Sequence, residues 1–174
     1  TVRFSPDADI FTETTEFHFE TLQARLRELA FLNKGITIIL NDEREGKQQK
    51  VELFFEGGII SYVEWLNKGK KSLHAPIYFR KEKDGIETEI CMQYTDAYAE
   101  NIFSFVNNIN TVEGGTHLSG YRTALTRVVN KHAQEKKLFA KDLTSLQGDD
   151  TTEGLTAIVS VKVPEPQFEG QTKA

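Results

Sequence analysis

The sequence predicts an α+β fold, with several short strands set among fewer helices. Three observations carry this. Residues 20–33 and 116–137 repeat apolar side chains at helical spacing. Between and beyond them lie apolar or alternating runs of strand length, rich in Ile, Val, Phe and Tyr. Polar or glycine-bearing turns separate those runs, most plainly Asp84-Gly85, a strong hairpin signal.

Residues 1–5 alternate like a short strand, ended by Pro6 and the acidic Asp7 and Asp9. In residues 20–33, Leu22, Leu26, Leu29 and Ala30 form one face, with Phe19 on the same side and Gly35 as a stop. Residues 36–41 and 50–55 are the next strands, joined by the polar turn 42–46. Gly57-Gly58 marks a boundary, followed by a short helix over 59–67 and a basic loop, 68–71. Strands are expected over 77–81, 87–94 and 102–106.

Thr116 is placed to cap the longest helix, which runs to about Lys137. Leu118, Tyr121, Leu125, Val128, Val129 and His132 fall on one face of it; Thr123, Arg127, Asn130, Lys131 and Gln134 fall opposite. Asp150 and Glu153 have the spacing of a capping box. Residues 155–163 are the most apolar strand, ended by Pro164 and Pro166.

Composition bounds the partners. The chain has 174 residues, enough for one domain or two small ones, and its net charge of −5 means that any DNA contact must come from a local patch. The single Cys91 excludes an internal disulfide and reads as a buried thiol in a reducing compartment. No apolar run approaches a membrane span and no signal peptide is visible, so a cytoplasmic location is expected, away from any membrane.

His18, His74, His117 and His132 show no metal-ligand spacing, and no nucleophile elbow is present. Residues 113–116 (EGGT) precede a helix, where glycines either make a tight turn or cradle an anion. They lack the lysine of a P-loop. Arg127 and Lys131 lie one helical turn apart on the polar face, and Arg122, Lys136 and Lys137 extend the positive bias. Such cations are either a solvated helix surface or a contact for DNA phosphates.

Several segments carry a resemblance: residues 25–35 (RLRELAFLNKG), 55–67 (FEGGIISYVEWLN), 105–127 with NNINTVEGGTHL inside, Gly148-Asp149-Asp150 with Glu153-Gly154-Leu155, and 159–173 ending in Gln171-Thr172-Lys173. In order and over essentially the whole chain, these resemble the B subunits of the bacterial type IIA topoisomerases, DNA gyrase and topoisomerase IV. The resemblance implies that residues 1–56 are the end of an ATPase domain of the GHKL type, shared with Hsp90 chaperones and histidine kinases. It implies that 57–174 are a transducer domain with the ribosomal-protein-S-five-like fold, a two-layer sheet with helices on one face. It makes Gln171 and Lys173 the tip of a loop that touches the terminal phosphate of ATP, and puts Val2 beside the adenine pocket. Arg127, Lys131 and Arg122 become candidates for contacting DNA.

By the same likeness, the magnesium-binding Asn and catalytic Glu lie upstream. This stretch is then expected to hold no catalytic residue and no metal site, and to be inactive alone, although the intact protein uses ATP and Mg2+. The implied partners are DNA, a second B subunit that dimerises on ATP binding, and the gyrase A subunit. Two other readings stay open. Small-molecule kinases use a related fold, but need a glycine- and serine-rich phosphate loop that residues 113–120 imitate poorly. A plain DNA-binding module is disfavoured by the net charge.

Overall fold

The computed structural model describes residues 1–140 and 142–168. Its elements run α1 (Phe19–Leu32), β1 (Ile38–Asp42), β2 (Gln49–Leu53), α2 (Ile59–Leu66), β3 (Ile77–Lys83), β4 (Ile86–Tyr94), β5 (Asn101–Val106), β6 (Ile109–Asn110), α3 (Thr116–Glu135), α4 (Gly148–Thr152) and β7 (Leu155–Lys162). The strands form a two-stranded sheet, β1-β2, and a five-stranded sheet in the order β3-β4-β7-β5-β6. The mixed helix-and-sheet class is the one expected.

The most apolar segment takes the most buried place. β7 is buried at every position but its last, Lys162. It pairs antiparallel with β4 and parallel with β5. A central strand is covered on both faces, so it must be apolar throughout rather than alternating. Side-chain alternation sends its residues to two separate cores. Leu155, Ala157 and Val159 meet Tyr121, Leu118 and Leu125 of α3. Ile158 faces the other way, joining Phe31 and Leu32 of α1, Ile59, Tyr62 and Val63 of α2, Cys91 and Phe105. Helices therefore line both faces of the large sheet, and α1 and α2 add a third layer to the expected two. Residues on both sides of the expected boundary at 56–57 build this second core: the Phe31 ring stacks on Phe55 at 3.7 Å and on Tyr62 at 4.6 Å.

The turns obey local chemistry. Asp84 and Gly85 take φ of 53° and 76°, and Asn107 and Asn108 take 48° and 65°, so each pair makes a two-residue hairpin loop with positive φ at both positions. The second hairpin, and with it β6, goes unforeseen in the sequence. In the β1-β2 turn, Arg44 hydrogen-bonds Asp42 at 2.6 Å and holds its carboxyl down at about 2. Gly154 (φ 71°) sits where a Cβ would lie 2.6 Å from the Ala97 carbonyl oxygen, so no side chain fits before β7.

Four expectations change. Residues 1–5 form no strand, because they pair with no other strand among the described residues. Thr116 is the first residue of α3 rather than its cap; the cap is Gly115. The capping box exists one turn earlier than expected: Gln147 caps α4 and the Asp150 carboxylate accepts from the Gln147 N–H at 2.7 Å. Finally, the apolar stripe of α3 holds only in its first half. Val128 is 61% exposed and His132 is also exposed, while Ala133 is buried instead.

Candidate functional site

The outward face of α3 carries the cations that the sequence singles out, and tertiary contacts sort them. Arg122 is engaged: both its terminal nitrogens donate to Glu100, one at 2.8 Å. Burial pushes the Glu100 carboxyl up, but hydrogen bonds from Arg122 and Thr152 outweigh it and hold the group below the usual carboxylate range. Such a bidentate pair fastens α3 to the start of β5. Arg127 is exposed, with no ion-pair partner among the described residues. Lys131 is 74% exposed and meets only Glu135, at 3.9 Å one turn further on, a contact worth about 0–1 kcal/mol. Arg127 and Lys131 are thus exposed, while Arg122, with its side chain still 38% exposed, is paired with Glu100.

Between α3 and its face of the large sheet runs a groove of about 1330 Å³. Its floor is apolar, from Ile90, Met92, Val159 and Val161; Tyr121 and Leu125 form its wall, and residues 163–168 close one end. The glycine turn lies at its rim. Asp84, Glu113 and Glu165 also line it, and among the described residues no Lys or Arg does. Burial pushes the His117 imidazole pKa down, favouring its neutral form, and its Nε2 lies 3.2 Å from Thr111 Oγ1. The turn geometry at Gly115 (φ 147°) serves packing, since a Cβ there would lie 2.9 Å from the His117 ring. Among the described residues the rim is acidic, which disfavours a triphosphate there.

Val2 is 89% exposed and lines no part of this groove. Gln171 and Lys173 lie outside the described residues. Among the described residues no three His, Cys, Asp or Glu side chains gather as metal ligands, and no helix is long and apolar enough to cross a membrane.

Two polar arrangements escaped the sequence reading. One is buried where α2 meets the sheet. The Asn67 Oδ1 accepts from Thr156 Oγ1 at 2.6 Å, and Asn67 Nδ2 donates to Gln93 Oε1 at 2.8 Å. Gln93 Nε2 then donates to the His74 carbonyl at 2.7 Å. This chain roots the basic loop 68–71 in the core. The other is the turn of Asn107 and Asn108, whose side chains reach Val163, just after β7, and Asn33, the residue that ends α1. No local pattern announces either: the partners lie 89 and 75 residues apart in sequence.

The model of the DNA gyrase B family matches residues 58–174. The DNA gyrase B subunit of Halalkalibacterium halodurans is 56% identical over 173 residues, 99% of this chain. The chain belongs to the DNA gyrase B family. The gyrase B subunit of Bacillus mycoides is 54% identical over 98% of it. These gyrase B relatives are longer: the chain spans 27% of the first and 42% of the second. A crystal structure of the 43K ATPase domain of Thermus thermophilus gyrase B in complex with an aminocoumarin superposes with a TM-score of 0.80. It is 34% identical and covers 95% of this chain and 44% of its own. The B-subunit of the DNA gyrase from Myxococcus xanthus superposes equally well, at 0.80 and 30% identity, over 97% of this chain and 46% of its own.

Proposed function

We propose that this chain is part of the ATP-operated gate of a type IIA topoisomerase, a gyrase B subunit that couples nucleotide binding to capture and passage of DNA. The observation that carries the reading is family membership over nearly the whole chain. In this reading residues 1–56 end the ATPase domain and 57–174 are the transducer. DNA, a second B subunit and the gyrase A subunit are its partners in the cytoplasm, and ATP with Mg2+ is used by the intact protein.

The donor chemistry of the Gln171-Thr172-Lys173 tail suits a terminal phosphate: an amide N–H and a compact ammonium, both donors to phosphate oxygens. With that contact made, the tail is held in one direction; without it, the tail is released. Differential contact in two states is what shifts a population. By the family likeness, the residues that hold magnesium and activate water lie upstream. In this reading the stretch therefore senses nucleotide rather than hydrolysing it, and is inactive alone. Arg127 and Lys131 face the captured DNA, where exposed cations suffice for phosphate contact.

The test is Lys173→Ala and Gln171→Ala in the intact subunit. A charge-assisted hydrogen bond is worth about 1.5–3 kcal/mol. Losing that of Lys173 lowers ATP turnover, and dimer formation with a non-hydrolysable analogue, roughly 10- to 150-fold. Nucleotide affinity falls less. Gln171→Ala acts the same way more mildly. Unchanged turnover and closure in Lys173→Ala would sink the reading.

A further inference from the structure

The turn between β5 and β6 is held from two opposite sides. Glycine at both positions would satisfy its positive φ values of 48° and 65°. What asparagine adds is a side-chain amide, and the two amides reach different elements. Asn107 grips Val163, the residue after β7: its Nδ2 donates to the Val163 carbonyl and its Oδ1 accepts from the Val163 N–H, both at 2.9 Å. Pro164 follows and has no N–H to hold, so this clamp sets the direction in which the tail departs. Asn108 grips α1. Its Nδ2 donates to Asn33 Oδ1 at 3.0 Å, and its carbonyl accepts from Arg25 Nη2 at 2.9 Å. Asn33 in turn donates to the Leu29 carbonyl at the end of α1, at 2.7 Å. The other oxygen, Asn108 Oδ1, is buried without a partner, which is unfavourable for a residue that only turns the chain.

We propose that this turn is a relay. Asn107 fixes the exit of the C-terminal tail, Asn108 ties the same two-residue loop to α1, and the position of the tail is thereby coupled to that of α1. Adjacent residues of one tight loop cannot move independently, so a shift of Val163 is passed to Asn33 and Arg25. The relay rests on the reading of the tail as a nucleotide sensor. Asn107 and Asn108 are positioning residues; they act through Val163 and α1.

The experiment uses the intact subunit with Asn107→Gly, Asn107→Asp and Asn108→Gly. Glycine keeps the turn and removes the amide; aspartate keeps acceptance from the Val163 N–H and loses donation to its carbonyl. Melting temperature, affinity for a non-hydrolysable ATP analogue, analogue-driven dimer closure and amide exchange along α1 are measured together. The glycine variants keep their fold and analogue affinity, while closure falls on the order of tenfold, as expected for one or two lost hydrogen bonds. Asn107→Asp falls between them and wild type. Analogue-induced protection near Asn33 is present in wild type and lost in Asn108→Gly. The relay is overturned if the variants close like wild type, or if closure falls only in step with melting temperature. Wild-type protein that itself shows no analogue-dependent closure refutes the sensor reading, and the relay with it.

Discussion

At the scale of single residues, burial decides which chemistry is open. Cys91 has no exposed surface, and burial, then the nearby Glu64 and Glu89, pushes its thiol up to about 12. The thiolate is the reactive form, so native protein should resist alkylation at pH 8 and react fully once denatured, as counting labelled thiols by mass spectrometry will check. The sign of its pH linkage follows. A raised folded pKa favours the neutral form, so its contribution is complete below the unfolded pKa near 9 and is lost as pH rises towards about 12. Arg122 makes the complementary point: the fold gives this cation a carboxylate partner, Glu100, that local sequence does not announce.

Among the elements, β7 carries most of the architecture. Ile158 is fully buried in the core that α1 and α2 share with the sheet. Replacing it with alanine should cost about 2–5 kcal/mol. Ile39 on β1 is 55% exposed, and its alanine variant should stay within about 0.5 kcal/mol of wild type. Urea denaturation of both variants measures the difference; equal losses would mean that the small hairpin, and not β7, limits stability. α3 shows a division along its length. Its first half packs through Leu118, Tyr121 and Leu125; further along, Val128 lines the open groove and is exposed, and Arg127 and Lys131 are exposed as well.

For the whole molecule, the net charge is −5, and Arg127 and Lys131 form a local exposed cationic pair; on the proposed reading, contact with DNA phosphates there is salt-sensitive. In the intact subunit, Arg127→Ala with Lys131→Ala should weaken DNA-stimulated ATP turnover and reduce the log-log salt slope by up to about 2, for two lost phosphate contacts. Turnover without DNA should change little. A double variant that keeps full DNA stimulation and the original salt slope would make α3 an ordinary solvated surface.

Most elements were legible in the sequence because they are local in cause. Helical spacing placed α1 and α3, turn chemistry at Asp84 and Gly85 placed the β3-β4 hairpin, and continuous apolar character picked out β7. Ordered blocks of sequence were enough to point to the gyrase B family. What sequence could not decide were contacts between residues far apart. The strand expected at 1–5 needed a partner strand, the lower half of the α3 stripe needed packing over Val128, and Arg122 needed Glu100 across 22 residues. The third layer and the two-sided grip on Asn107 and Asn108 depend on which distant segments the chain brings together, a result of packing free energy over the whole molecule rather than of any local pattern.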